Sequence, residues 1–256
     1  MEGKIYGIVY ECFEGYKWLV REESAFHKGH PWKDDMIGPM ADREMTEIKF
    51  FRSYSGLFPI FIDVGAHVGY FTIRLAKYFE QVIAFEPNNK IRNVLKINLQ
   101  LNNIKNVSVL PYALSDHYGE SELLCRGGCG QVTNLGEPTS PVFQNLKEMS
   151  SERQKVNLTE LSDVLISEFS FDEKEKFAIK IDTEGYEPAV INGAWGIMDN
   201  PLLWMVEHHA NVYDLPEQVN KIKWLMKKGG QKFLGVMDDK GPTEEKLLFS
   251  NIVDRI

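Results

Sequence analysis

The sequence predicts an α/β protein built on a doubly wound, mostly parallel sheet, and three observations carry that prediction. Four runs rich in β-branched and aromatic residues, FPIFIDV (58–64), QVIAFE (81–86), FAIKID (177–182) and LLWMVE (202–207), each end at an acidic residue followed by turn or helix-start residues. Near-continuous apolar runs of this kind belong to strands covered on both faces. Segments with helical spacing separate them, and two further apolar runs close the chain as a hairpin, which adds one antiparallel strand near the C-terminus.

Residues 1–57 hold two short strand-like pieces, KIYGIVYE (4–11) and KWLVRE (17–22), followed by a polar segment bearing prolines and glycines. They read as an N-terminal extension or cap, and residues 58–256 as the main domain. After the first long strand, Val68, Phe71, Leu75 and Tyr78 recur at three- and four-residue spacing, which predicts an amphipathic helix over 67–79. Ile91, Val94, Leu95 and Ile97 predict a second over 89–102. VSVLPY (107–112) makes a third strand, with Pro111 at its end. Residues 126–154 carry four glycines and two prolines without periodicity, and a loop of that length in a compact domain is a candidate lid over a site. Pro188 suits the first turn of a helix reaching about residue 197, and a further helix runs from Pro216 to a stop at Gly229 and Gly230. KFLGVMD (232–238) and KLLFSNIVD (246–254) flank a turn-rich stretch and form the closing hairpin.

With 43% hydrophobic residues in 256, the chain can bury a full core, which argues against a disordered protein. No apolar run approaches the roughly 18 residues of a membrane span, and MEGKIYGIVYE lacks the basic, apolar, small-residue order of an export signal, so the expectation is a cytoplasmic protein. The 29 basic and 37 acidic side chains leave a net charge of −8, and no stretch interleaves basic with aromatic residues, so a nucleic-acid partner is disfavoured. Cys125 and Cys129 form a C-x3-C without a second ligand pair, short of a structural zinc site, and read as reduced thiols.

The sharpest motif is FIDVGAHVGYFTIRLA (61–76), a strand running into Asp63, then Gly65, Ala66 and Gly69 at the entry to a helix. Gly65 permits a tight turn, while Ala66 and Gly69 let ligand and helix approach the backbone. Amides at the helix start then face a negative group. A nicotinamide enzyme would show G-x-G-x-x-G, a pattern broken here by His67 and Tyr70. The remaining D-x-G-x-x-x-G suits S-adenosylmethionine (SAM), which has no pyrophosphate. Glu86 ends the second strand ahead of Pro87, placed to accept hydrogen bonds from two ribose hydroxyls.

FIDVGAHVGYFT (61–72), AFEPN (84–88), ALSDHYGE (113–120), KIDTEGYE (180–187), INGA (191–194) and VEHH (206–209) together resemble the FkbM-type family of SAM-dependent methyltransferases. The likeness spans about residues 58–210. It implies a Rossmann-like class I methyltransferase sheet and methyl transfer, usually to oxygen, on a sugar, glycan or other hydroxylated small molecule. On that resemblance Asp63, Gly65, Ala66, His67 and Gly69 form the cofactor loop, and Glu86 with Pro87 and Asn88 the ribose side. Ala113, Leu114 and Ser115 match the segment beside adenine, with Asp116 near the exocyclic amine.

An alcohol acceptor must lose its proton, and a positioned base contributes about 10²–10⁴-fold. Asp182, Glu207 and His208 are the candidate catalytic residues, brought to neighbouring strand ends by KIDTEGYE and VEHH. Asp182 and Glu207 with a histidine close by form either a base assembly or ligands for a divalent metal. Strand alternation sends one of His208 and His209 inward. Glu184 reads as a solvated turn residue, Glu187 as a cap of the helix opened by Pro188, and Tyr70 and Tyr186 as candidate walls. Three other readings stay open: methylation of RNA or protein on the same scaffold, an NAD-dependent oxidoreductase, and a SAM-binding module without catalysis.

Overall fold

The computed structural model describes residues 7–12, 14–21, 44–126, 129–132, 152–209, 217–237 and 245–254. At its centre, seven strands lie in the order β12-β13-β11-β10-β3-β4-β5. Of these, β3 (Ile60–Val64), β4 (Gln81–Phe85), β5 (Val107–Leu110), β10 (Phe177–Ile181) and β11 (Leu202–Glu207) run parallel, while β13 (Lys246–Ser250) returns antiparallel between β11 and β12 (Lys232–Met237). This is the doubly wound α/β sheet expected, with its single reversed strand near the C-terminus. Chain order changes direction between β3 and β10, and crevices at such a switch point are where ligands bind.

The apolar runs are uninterrupted because helices cover both faces. Ile60, Ile62, Val64, Ile179 and Ile181 pack against α4 (Leu161–Ser167), α5 (Glu187–Asn192) and α6 (Gln218–Lys228), through Leu161, Leu165, Val190, Ile191, Ile222 and Leu225. The alternate positions Phe61, Ala178, Leu203 and Met205 meet Ile48 and Phe51 of α1 (Met45–Tyr54), and Phe71 and Leu75 of α2 (Tyr70–Leu75). Each fully buried Phe or Ile in these layers contributes about 1.5–3 kcal/mol. Beside α2, α3 (Asn89–Leu101) is capped by Asn88, whose side chain accepts from the amides of Lys90 and Ile91. Among the described residues, no helix is long and apolar enough to cross a membrane.

Several elements differ from expectation for local reasons. Gly69 at φ +98° and His67 at φ +52° are left-handed, so the predicted helix starts at Tyr70, and a 3-10 turn takes over at Ala76–Tyr78. The third strand stops at Leu110, before Pro111. The helix at Pro188 ends at Asn192, and the Gly193 that follows lies against another segment: a Cβ there would sit 1.9 Å from the Ser115 carbonyl oxygen. Helices α1 and α4 were not predicted, nor was a second sheet ordered β6-β9-β7-β8, formed by β6 (Ala113–Leu114), β7 (Gly119–Arg126), β8 (Cys129–Val132) and β9 (Glu152–Thr159). Of the interval read as a lid, residues 126, 129–132 and 152–154 are strand, whereas 127–128 and 133–151 lie outside the described residues. So do Pro216 and the hairpin turn at 238–244. Cys12 and Cys125 are free thiols.

The first two strands are tied to the helices beside the sheet. The antiparallel pair β1 (Gly7–Glu11) and β2 (Lys17–Arg21) docks on α2 and α3 through buried polar contacts. Leu19 N–H donates to Asn98 Oδ1 at 2.7 Å, and Asn98 Nδ2 donates to the Val68 carbonyl at 3.0 Å, inside the glycine loop. One turn on, Asn102 pairs with both backbone groups of Lys17. Arg74, 1% exposed, donates from Nε to Glu14 and lies over the rings of Tyr70 and Trp18. Replacing Asn98 by Ala strands a buried N–H and a buried carbonyl. The expected loss is about 2 kcal/mol or more in urea unfolding; a change within experimental error would mean that this side chain does not hold the hairpin.

Candidate active site

Four acidic residues gather at the C-terminal edge of the parallel strands: Asp63 in β3, Glu86 after β4, Asp182 after β10 and Glu207 in β11. Their surroundings give them different chemistry. Asp63 is fully buried; its Oδ2 accepts from Thr72 N–H at 3.1 Å and from Thr72 Oγ1 at 2.6 Å, which fixes the start of α2. Its carboxylate thus works beneath the glycine loop, engaged by protein groups. Gly65 and Ala66 turn over it, both donating to the Phe85 carbonyl.

Both loop glycines answer to the protein's own packing. Gly65 sits at φ +79°, and a Cβ there would lie 1.9 Å from the Asp182 carbonyl oxygen, so the loop and the turn after β10 touch backbone to backbone. At Gly69 the obstruction is Leu95 Cδ1 at 2.5 Å, where α3 closes on the loop. His67 contributes its backbone N–H, which donates to Glu86 Oε2 at 2.9 Å, while Asn88 N–H donates to Oε1 at 2.8 Å. Each Glu86 oxygen keeps a further lone-pair position for a ligand hydroxyl. Burial pushes the Glu86 carboxyl up to about 7 against the pull of those two amides. Pro87 offers its carbonyl to Arg92 and Gln154, fastening this corner to α3 and β9.

In the next segment, Ala113, Leu114 and Ser115 are buried. Ser115 Oγ lies 3.3 Å from Tyr186 Oη, so the Ser115 segment is joined to the turn after β10. Asp116 is occupied by His117 and Asn192.

The turn after β10 holds the densest charge. Lys180 Nζ, 4% exposed at its side chain, lies 3.2 Å from Asp182 Oδ2, 3.6 Å from Asp63 Oδ1 and 3.4 Å from the Gly65 carbonyl. Burial would drive that ammonium toward neutrality, but Asp182, Asp63 and Glu207 outweigh it and keep Lys180 charged. Burial likewise opposes ionisation of Asp182, yet Lys180, His209 and Lys246 hold its carboxyl at about 2. Glu207 goes the other way: burial and the negative Asp182 push it up to about 8, with Lys246 Nζ 3.8 Å away opposing. Neighbouring carboxyl groups are thereby split into an ionised and a protonated one near neutral pH.

His208 and His209 also part company. His208 faces the other side, its Nε2 3.5 Å from Glu245 Oε2. His209 is the one that reaches Asp182: Nε2 stands 3.7 Å from Asp182 Oδ1 and 3.8 Å from Glu184 Oε2, and Nδ1 lies 3.0 Å from Glu187 Oε1. Burial disfavours its cation, but the three carboxylates raise its pKa well above the ordinary histidine value. Glu187 does not cap α5; it accepts from the amides of Thr183 and Gly185 in the turn and orients His209. Glu184 adopts φ +54°, which bends the turn toward His209.

Two residues with no predicted role, Lys180 and Lys246, complete the site together with His209, one of the two histidines between which the sequence left the inward position open. Lys180 stands two positions before Asp182, and the two-residue period of a strand puts both on one face, a signal present in the sequence. Lys246 ion-pairs with Glu47 of α1, a contact between residues at opposite ends of the chain that no local pattern announces. His209 follows His208, and register decided between them. Ligand atoms of Asp182, Glu184 and His209 lie within 4.8 Å of one another, whereas Glu207, the other expected metal ligand, stands apart beside Lys246.

The Methyltransferase FkbM domain family matches residues 63–233 of the chain. No curated protein matches it in sequence. Among solved structures, the complex of aTrm5 and tRNALeu is 15% identical and aligns with a TM-score of 0.50 over 97% of this chain and 54% of that one. TYW2 from M. jannaschii in complex with AdoMet is 15% identical, with a TM-score of 0.49 over 98% of this chain and 87% of that one. An O-methyltransferase from Bacillus cereus in complex with SAH is 14% identical, with a TM-score of 0.48 over 80% of each chain. The first likeness shows a shared fold; identities this low say nothing of substrate.

The buried charges make a pH-dependent expectation. Because the folded Asp182 carboxyl sits near 2, below its ordinary 3.8, its contribution to stability is full above about pH 4 and is lost as pH falls through about 2. Lys180→Met removes the cation and should cost about 3–5 kcal/mol at pH 7, with the gap to the native protein shrinking below about pH 4. Urea unfolding across that range checks it; a gap independent of pH would show that Lys180 does not hold Asp182 ionised.

Proposed function

Because the chain belongs to the FkbM methyltransferase domain family, we propose that it moves the methyl group of SAM to a hydroxyl oxygen of a sugar, glycan or other hydroxylated small molecule. The observation that carries this reading is the pairing at one sheet edge of Glu86, whose carboxylate oxygens each accept one amide, with the Asp182–His209 cluster two strands away. The donor and acceptor ends of a methyl transfer need such adjacency, since much of the acceleration comes from alignment. SAM supplies an electrophilic methyl group on a sulfonium.

Each residue has a task in this reading. The loop Gly65, Ala66, His67 and Gly69, braced from below by Asp63, receives the amino acid portion of SAM. Glu86 accepts the ribose hydroxyls, flanked by Pro87 and Asn88, and Ala113, Leu114 and Ser115 line the adenine side. Asp182, the most open of the four strand-end acids at 30% side-chain exposure, accepts the hydrogen bond of the acceptor hydroxyl and takes up its proton as oxygen is methylated. His209, oriented by Glu187, stabilises that carboxylate. Glu207, its carboxyl pushed up to about 8 beside Lys246, and His208, turned toward Glu245, stand on the neighbouring strand end and leave the proton to Asp182.

Calorimetry should detect binding of S-adenosylhomocysteine to the pure protein, and absence of binding would overturn the reading. Asp182→Asn should keep that affinity while lowering kcat by about 10²–10⁴ on any hydroxylated acceptor found by a mass-spectrometric screen for methyl gain. Full activity in this variant would remove Asp182 from the chemistry.

A divalent cation held by Asp182, Glu184 and His209 is a second reading, supported by the convergence of their ligand atoms within 4.8 Å and by the Glu187 carboxylate behind the imidazole. Such an ion would acidify the acceptor hydroxyl directly. Under it, dialysis against a chelator abolishes turnover and Mn²⁺ restores it; activity unchanged by chelation leaves the metal-free reading.

A further inference from the structure

Away from the site, the fold assembles a surface that no stretch of sequence displays. Trp195, in the 3-10 turn Trp195–Ile197 after α5, is 41% exposed, Trp224 of α6 is 58% exposed and Phe233 of β12 is 47% exposed. Lysines join them: Lys228 Nζ lies 5.1 Å from the ring centroids of both Trp195 and Trp224, and Lys223 Nζ lies 4.8 Å from that of Phe233. Three exposed aromatic side chains from three elements are thereby tied to the solvent side of α6, Trp195 and Trp224 at Lys228 and Phe233 at Lys223, a side that also carries the exposed Lys221 and Lys227. No acid interrupts α6 between Gln218 and Lys228, in a chain whose net charge is −8. The opposite face of α6 already fills the core with Ile222, Leu225 and Met226, so burial does not require the exposed residues. Single exposed apolar side chains are ordinary, but a contiguous set rimmed by one sign of charge marks a contact surface.

We propose that this face docks on the surface of an anionic lipid bilayer. Indole and phenyl rings settle at headgroup level, where the apolar body and the polar edge are both satisfied, and lysine stems lie along them while the ammonium groups meet lipid phosphates. The positive charge on this one face of an acidic protein is the complement of such a surface. A second copy of the chain is a poor occupant, because a two-fold contact would set these lysines against themselves. Single-stranded RNA needs free ring faces for base stacking, and here ammonium groups stand over them. The face lies toward the far ends of α5 and α6, whose first residues Glu187 and Gln218 touch His209, so docking leaves the acceptor site open.

The test is cosedimentation of the full chain with vesicles of phosphatidylcholine alone and of phosphatidylcholine mixed with phosphatidylglycerol. Binding to the mixed vesicles should exceed binding to the neutral ones by about tenfold and fall with added salt. The double variants W195A/W224A and K223E/K228E should each lose about tenfold of it, with thermal unfolding unchanged. Lys227→Gln, on the same face but over no ring, should give a smaller loss and serves if a double variant fails to fold. Equal binding to both vesicle types, or variants that bind like the native chain, would overturn the proposal. So would a dimer in solution that the variants dissociate, or RNA retention on a filter that they abolish.

Discussion

A buried ammonium sets the terms on which the two central strands can meet. Lys180 lies directly beside Asp63 in the β3–β10 register, and Asp182 follows two residues later on the same face. Without a cation between them, two carboxylates at adjacent strand ends in a region of low polarity would repel, and one would be driven to protonate. With it, Asp63 stays free to hold Thr72 and so to start α2, and Asp182 stays ionised at the mouth of the crevice. The same Nζ reaches the Gly65 carbonyl, so the glycine loop is anchored to β10 by the group that neutralises the two carboxylates. The absence of a Cβ at Gly65 belongs to this arrangement, since the loop could not otherwise lie against the Asp182 carbonyl.

A second cation extends the pattern to the edge of the sheet. Lys246 of β13 sits among Glu47 and Glu44 of the N-terminal helix region and Glu207 of β11, joining the first and last parts of the chain around the same cluster of charge. Among the described residues Glu207 Oε2 has no hydrogen-bond partner, in keeping with a carboxyl pushed toward its neutral form. Residues before 58 thus share in the electrostatics of the site, although nothing in their local pattern relates them to it.

What could be read in the sequence follows from how far each signal acts. The long parallel strands, α3 and the glycine loop announce themselves locally, through unbroken apolar runs, a 3.6-residue period, and glycines at fixed offsets. The second sheet does not: β9 alternates exposed and buried positions only toward its end, and β8 lies in a glycine-rich stretch whose composition reads as loop. Helix α1 is amphipathic but follows a polar segment that masks its start. At the site, carboxylates at strand ends were legible because they terminate apolar runs. The choice of His209 over His208 was not, because it depends on which way β11 faces after its last paired residue. The basic aromatic face was invisible for a simpler reason, since Trp195, Trp224 and Phe233 come from separate elements.

Asn98 gives the structure a property that no single contact describes. One end of its amide holds the backbone of β2 and the other holds the backbone of the glycine loop, so neither segment can rearrange without loosening the other. Thermodynamic reciprocity then applies: whatever steadies the loop at Val68 must steady the first strand pair by the same factor, and a partner that grips the hairpin must sharpen the loop in return. The first strand pair is in this sense a handle on the glycine loop, gripped through α3 and independent of the chemistry inside the crevice.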